Sequence, residues 1–98
     1  MILSSIRFKE NIKPIRSETD NVQQLRPVEF NYKHDPEKVK TYGLIAEEVR
    51  EHFPSLIYYD EDGFVMSIKY QELPILLLSE IQKLYTRIDH LESLLNIK

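Results

Sequence analysis

A heptad pattern near the C-terminus is the feature that most constrains how this chain can fold. From residue 71 to residue 98 only Pro74 interrupts a helical pattern, and proline is tolerated in the first turn of a helix. Leucine and isoleucine step by 3, 4, 3 and 4 positions, the spacing of a coiled-coil seam, at Ile81, Leu84, Ile88, Leu91 and Leu95. Leu77 extends this seam one step backwards. The pattern predicts a helix over about residues 71–96.

The length of this helix favours self-association. A helix of about 28 residues is ~40 Å long at 1.5 Å per residue, more than the core of the remaining domain can cover. The alternative is one amphipathic helix folded back on its own domain. With Ile81 at heptad position a, Arg87 and Glu92 fall on positions g and e, where opposite charges can pair between helices. Isoleucine at a with leucine at d leans towards dimers, so the pattern itself leaves dimer or trimer open.

The part before this helix carries strand signals separated by turns. Residues 28–32 alternate apolar and polar side chains with the period of two that is typical of a half-buried strand. Asp60, Glu61, Asp62 and Gly63 form an acidic hairpin turn, with Gly63 at the position that needs a positive φ. Four strands of one small antiparallel sheet are predicted, at residues 28–32, 42–46, 56–59 and 64–69.

Short helices complete the predicted α+β fold. One is expected at about residues 19–25, with Ser17, Thr19 or Asp20 as its N-cap and Pro27 as its stop. A helical turn or two at residues 47–53 ends before Pro54. The chain of 98 residues is then one domain in two parts, an α+β core over residues 1–70 and an oligomerising helix over residues 71–98.

Composition excludes several classes of function. A net charge of −3 and a pI near 5.6 provide no positive field to gather nucleic acid. The absence of cysteine excludes disulfides and thiolate metal sites. No run of about 18 apolar residues is present to span a membrane. The three histidines are scattered without metal-ligand spacing, so no metal and no cofactor are expected.

The N-terminal stretch SSIRFKENI holds the candidate chemistry. Ser4 lies five residues before Lys9, and Ser5 supplies a second hydroxyl. Such a stretch is either a polar lead-in or a nucleophile with its base, since a serine hydroxyl attacks poorly until a neighbour takes its proton. A lysine can take that proton where desolvation disfavours its charged form, and serine–lysine pairs are known catalytic variants. Composition does not decide between these two interpretations.

Four motifs in order resemble one known family. SSIRFKENI, QQLRPVEFNYK, YGLIAEEVREHF and the acidic hairpin that leads into the long helix follow one another from Ser4 to about Leu95. They resemble the C-terminal intramolecular chaperone domain of phage tailspikes, endosialidases, neck appendages and tail fibres. That family opens with Ser-Asp-x-Arg-Leu-Lys-x-Asn-Ile and contains a Leu-Arg-Pro-Val strand and a Gly-Leu-Ile-Ala-Gln-Glu-Val segment. The sequence departs from the family at Ser5, where the family has aspartate, and at Phe8, where it has leucine.

The resemblance implies a homotrimeric chaperone that assists folding of an upstream fibre or tailspike chain and then releases itself. It places the scissile bond between Leu3 and Ser4, with Ser4 as nucleophile and Lys9 as general base of a self-cleaving serine endopeptidase. Asn11 is a candidate oxyanion donor, and Glu47, which stands at the family's glutamine position, is a candidate supporting residue. The alternative is a trimerisation and folding module with a vestigial dyad. The implied location is the host cell cytoplasm during virion assembly, with absence from the mature virion after cleavage.

Overall fold

The structure, a computed structural model, describes residues 2–95. Short strands and one short helix precede a long helix, in the order β1 (Val28–Phe30), β2 (Thr41–Gly43), α1 (Ala46–His52), β3 (Ile57–Tyr59), β4 (Val65–Ile68) and α2 (Leu73–Leu95). Four 3₁₀ helices lie between or before these elements, at Ile6–Phe8, Ser17–Gln24, Pro54–Leu56 and Tyr70–Glu72. The predicted α+β class with a long C-terminal helix is therefore confirmed.

The strands form two separate two-stranded antiparallel sheets, so the prediction of one four-stranded sheet is wrong. β1 pairs with β2, and β3 pairs with β4. The predicted strand over residues 42–46 ends at Gly43, because the next N–H, that of Leu44, donates to the Tyr70 hydroxyl at 3.0 Å rather than to a strand partner. Helix α1 then begins at Ala46 and separates the two sheets.

The turn between β3 and β4 is held by the first acidic residue. Asp60 Oδ1 accepts hydrogen bonds from the backbone N–H groups of Asp62 and Phe64, each at 2.9 Å. Gly63 has a φ of 87°, the left-handed conformation that the sequence predicts for this position. Within residues 2–95, no group of three or more His, Cys, Asp or Glu side chains is arranged to hold a metal ion.

The core is small and lies where α1 packs on the second sheet. Its buried apolar side chains are Val49, Phe53, Leu56, Ile57 and Ile68. Partly buried side chains from the Ser17–Gln24 helix and from the start of α2 pack against its edge, among them Val22, Leu73 and Leu76. Much of the apolar surface of the chain consequently remains outside this core.

The predicted short helix near residue 20 is a 3₁₀ helix over Ser17–Gln24, and its cap differs from the prediction. Arg16 occupies the N-cap position and makes no side-chain capping bond, so none of Ser17, Thr19 and Asp20 caps the helix. Thr19 lies inside the helix and is fully buried. Its hydroxyl instead contacts Ser79 and Glu80 of α2.

Helix α2 begins at Leu73 and Pro74 is its second residue, in the first turn as expected. The end of the predicted helix at residue 96 and the last residues of the predicted 71–98 segment lie outside the described residues. In the part of the chain that the structure describes, no helix combines the length and the apolar character needed to cross a membrane.

Candidate functional site

A tight turn brings Ser4 and Lys9 together. The 3₁₀ helix Ile6–Phe8 lies between them, and the backbone N–H of Lys9 donates to the carbonyl of Ile6 at 3.1 Å. The Lys9 ammonium Nζ donates to the Ser4 hydroxyl Oγ at 3.0 Å. Ser5 is used differently, because its hydroxyl caps the turn by accepting from the N–H of Arg7 at 3.4 Å. The turn thus distinguishes the two neighbouring serines.

The Ser4–Lys9 pair is exposed to solvent, as is the whole segment over residues 2–18. The adjacent Leu3 is 58% exposed, so the bond that precedes Ser4 is open to its surroundings. Lysine acts as a base where burial disfavours its charged form. The single chain has the contact of a nucleophile with its base, without the water-poor environment in which lysine base chemistry operates.

The two candidate supporting residues do not join this pair. Asn11 lies two residues beyond Lys9 in a left-handed conformation with φ of 54°, and its side chain is exposed. Glu47 lies in the first turn of α1, also exposed. In the described part of the chain, neither side chain hydrogen-bonds to Ser4 or Lys9.

An ion pair links the second and third sequence motifs. The Arg26 guanidinium binds the Glu48 carboxylate through two bonds, Nε to Oε1 at 3.2 Å and Nη2 to Oε2 at 2.7 Å. Hydrogen bonds from Arg26 lower the pKa of Glu48, and the carboxylate raises the pKa of Arg26. This ion pair bridges the approach to β1 and helix α1. Its partners are 22 positions apart, so no local sequence pattern predicts it.

A polar cluster attaches the Ser17–Gln24 helix to α2. The buried Thr19 hydroxyl donates to Glu80 Oε1 at 2.8 Å. Lys83 Nζ bridges Glu80 at 2.7 Å, Asp20 at 2.8 Å and the carbonyl of Arg16 at 2.9 Å. Hydrogen bonding from Lys83, and secondly from Thr19, lowers the pKa of Glu80, while the bonds to Asp20 and Glu80 raise the pKa of Lys83. No local pattern predicts this cluster, because its two parts lie 61 to 67 positions apart in the sequence.

The predicted seam lies on a different side of α2 from this cluster. Leu73 and Glu80 occupy heptad position g, and Leu76 and Lys83 occupy position c, so the g/c side of the helix faces the body of its own chain. The seam side chains are between 41 and 67% exposed, at Leu77, Ile81, Leu84, Ile88, Leu91 and Leu95. A helix folded back along its seam would bury these residues, so the fold disfavours that alternative.

An open apolar groove of about 570 Å³ lies beside the first turns of α2. Side chains from the Ser17–Gln24 helix, the first sheet, α2 and the segments next to them line it, namely Val22, Leu25, Pro27, Val28, Glu29, Tyr42, Leu44, Tyr70, Leu73 and Leu77, together with Gly43. Leu77 belongs both to this groove and to the seam. The groove therefore continues directly into the exposed helix face.

Comparison with known proteins identifies the family. A search of curated proteins found no match to the chain. The sequence model of the peptidase S74 family, described as chaperone of endosialidase, matches residues 4–58. The matched region begins at Ser4, includes Lys9, and extends through the first sheet and α1 into β3. It covers more than half of the 98 residues, and the resemblance predicted from the motifs is confirmed. The chain belongs to the peptidase S74 family of endosialidase chaperones.

Proposed function

We propose that this chain is a homotrimeric intramolecular chaperone that assists folding of an upstream fibre or tailspike chain and then cuts itself free. The observation that carries the cleavage proposal is the 3.0 Å contact between Ser4 Oγ and Lys9 Nζ. The family match to residues 4–58 supports the chaperone role and a peptidase activity at the family level. The work takes place in the host cell cytoplasm during virion assembly, and the released domain is absent from the mature virion.

The proposed cleavage is a rearrangement followed by hydrolysis. Neutral Lys9 takes the Ser4 hydroxyl proton while Ser4 Oγ bonds to the carbonyl carbon of Leu3. The C–N bond between Leu3 and Ser4 then breaks as Lys9 returns the proton to the departing Ser4 nitrogen. Water hydrolyses the resulting ester, which leaves a carboxylate on Leu3 and a free amine and hydroxyl on Ser4. Because the bond is tethered beside its nucleophile, effective molarities of ~10⁵ M or more are accessible to well-aligned groups.

Assembly is proposed to activate this pair. Ser4 and Lys9 are exposed in the single chain, and a lysine base needs surroundings from which water is removed. Neighbouring chains brought together by α2 supply those surroundings when they cover the N-terminal segment. Cleavage then follows trimer formation, which keeps the domain attached until it has acted on the fibre.

The test uses a fusion of this domain behind upstream fibre sequence, analysed by mass spectrometry. The parent should yield a fragment that begins at Ser4. Ser4→Ala and Lys9→Ala should each abolish the fragment while the assembly stays folded. Lys9→Arg should also fail, because a guanidinium keeps its proton near neutral pH.

Ser5→Ala is the matched control. Ser5 caps the turn, so its replacement removes one hydrogen bond and should leave cleavage intact. Continued cleavage at the same bond in Ser4→Ala, or its loss in Ser5→Ala alone, would show that the nucleophile is assigned wrongly.

A second candidate function is a trimerisation and folding module in which the dyad is vestigial. The exposure of Ser4 and Lys9 favours it, because an exposed lysine is a poor base. The same fusion separates the two functions. An uncut fusion that nevertheless forms native trimers with a soluble fibre would establish the module without the chemistry.

A further inference from the structure

We propose that Ile75 and Leu78 of one copy of this chain insert into the apolar groove of a neighbouring copy. The inference rests on the proposed assembly through α2 and extends it from the helical seam to the body of the domain. It gives the groove an occupant, and it gives the assembly an interface between helix and body.

Helix geometry lets the Ile75/Leu78 side of one α2 helix face the apolar groove of a neighbouring copy. Around the helix, positions e and b lie on one side of the a/d seam, and positions g and c lie on the other. The chain's own body covers the g/c side, and Leu73 at g and the adjacent seam residue Leu77 at d border the groove. Leu78 at e and Ile75 at b project from the opposite side. In a parallel coiled coil, the e side of one helix faces the g side of the next.

Exposure agrees with this placement. Ile75 is 56% exposed and Leu78 is 50% exposed, although both lie in the first two turns of α2, at the level where the helix meets its own domain. The groove between the first sheet and α2 is lined almost entirely by apolar side chains, and Tyr42 at its rim is 75% exposed. Burying apolar surface is the main gain of association, so two unpaired apolar surfaces at the same height on facing sides favour contact.

Because the inserting side chains and the groove are different surfaces, the contact is heterologous and closes on itself only in a ring of parallel copies. An antiparallel pair would place Ile75 and Leu78 away from the groove. The contact therefore selects the parallel arrangement, in which all N-termini lie at the same end of the assembly. Three upstream chains attached there would start side by side.

The chain contains no cysteine, which makes disulfide trapping selective. Chains carrying Leu78→Cys and chains carrying Tyr42→Cys are refolded together, oxidised, and separated on a denaturing gel. A cross-linked pair containing one chain of each kind is expected, and mass spectrometry should identify the peptide that joins positions 78 and 42. Neither position is part of the Ser4–Lys9 pair.

Glu92→Cys is the matched control for Leu78→Cys. Position 92 also lies at heptad position e, but about 21 Å farther along the helix at 1.5 Å per residue, and should give no cross-link to position 42. Leu84→Cys in the seam reports the coiled coil independently, because d positions of parallel chains meet in one layer.

The outcomes separate the inference from the proposed assembly. Cross-links at position 84 without any between positions 78 and 42 would overturn the groove contact and support the coiled coil. Absence of both cross-links would overturn the assembly and the groove contact together. A link from position 92 to position 42 that forms as readily as the link from position 78 to position 42 would reflect random collision and also overturn the inference.

Discussion

At the scale of single residues, close packing around Gly43 joins the first sheet to the 3₁₀ helix that precedes α2. The Tyr70 hydroxyl accepts from the N–H of Leu44, one residue after Gly43. A Cβ atom at position 43 would lie 2.9 Å from that hydroxyl and 3.2 Å from Phe30 Cε1. A side chain at position 43 would therefore force at least one of these two aromatic side chains to shift.

Gly43→Ala should destabilise the domain by about 1–3 kcal/mol, because the added methyl group displaces tightly packed neighbours. Tyr70→Phe removes the nearer of the two contacting atoms, so the alanine penalty should be smaller in a Tyr70→Phe background. Urea unfolding of the parent, both single variants and the double variant at one protein concentration measures this difference. An alanine penalty that is equal in the two backgrounds would contradict the proposed contact.

At the scale of elements, the Glu80–Lys83 cluster couples the Ser17–Gln24 helix to α2. Its bonds cross from Arg16, Thr19 and Asp20 to the g/c side of the long helix. The cluster holds the end of the N-terminal segment on α2 at the side that the seam leaves free. It therefore sets where the segment with the Ser4–Lys9 pair leaves the body.

Acid should weaken this attachment. Hydrogen bonding lowers the folded-state pKa of Glu80. The stabilisation is therefore fully present above the unfolded-state pKa of about 4.3 and is lost as the pH falls through the lower folded-state pKa. The stability difference between the parent and Glu80→Gln, from urea unfolding across pH 2–7, should be largest at the neutral end and shrink towards acid. A difference that stays constant over this range would refute the assignment.

The exposed seam gives a second prediction for an element. Ile88→Asp should raise the dissociation constant of the assembly by roughly 100-fold or more, because the carboxylates would crowd one desolvated layer. Sedimentation over a range of concentrations measures this change. Thr86→Asp, which adds the same charge at the outward-facing position f, should leave the assembly intact. A parent protein that sediments as a stable monomer at micromolar concentration would contradict association through the seam.

The sequence predicted features that follow from a repeated local pattern. The heptad spacing predicted α2 because each seam residue repeats the same signal, and the acidic turn predicted the positive φ of Gly63. The sequence did not predict two separate sheets, because the apolar run after Tyr42 is equally compatible with a strand and with the start of a helix. Thr19 was predicted as a helix cap, because threonine in a polar stretch commonly caps a helix. No feature of the neighbouring sequence indicates that its partner is Glu80, 61 positions away.

At the scale of the whole molecule, the buried core contrasts with the apolar surface left open. Among residues 2–95 the buried apolar side chains are those around Val49 and Phe53, whereas the seam and the groove remain accessible. The Ser4–Lys9 pair is likewise exposed. Both observations support a domain whose working form contains more than one copy.

Loss of the long helix should impair the folding of an attached fibre. Pairing of β-strands between three chains is slow, and exposed strand edges aggregate while they wait for partners. A fibre fusion that lacks residues 71–98 should therefore accumulate as aggregate, measured as the loss of soluble native trimer by sedimentation. The intact fusion with Ser4→Ala is the control, because it retains the helix and blocks the proposed cleavage. Full recovery of soluble trimers from the truncated fusion would contradict the chaperone role.

The pairing of strands in the two sheets bears on the order in which the parts of the protein fold. Each strand pairs with the strand that follows it in sequence, β1 with β2 and β3 with β4, and the backbone hydrogen bonds of α2 lie within the helix, whereas the contacts that attach α2 to residues 16–20 span 60 to 67 positions. Chains with such short-range contacts fold in microseconds to milliseconds, several orders of magnitude faster than folds built from distant pairings. In the proposed precursor, these sheets and the α2 helix would therefore form while a long β-structured fibre is still unfolded. The faster-folding part can thus set the alignment of the slower one.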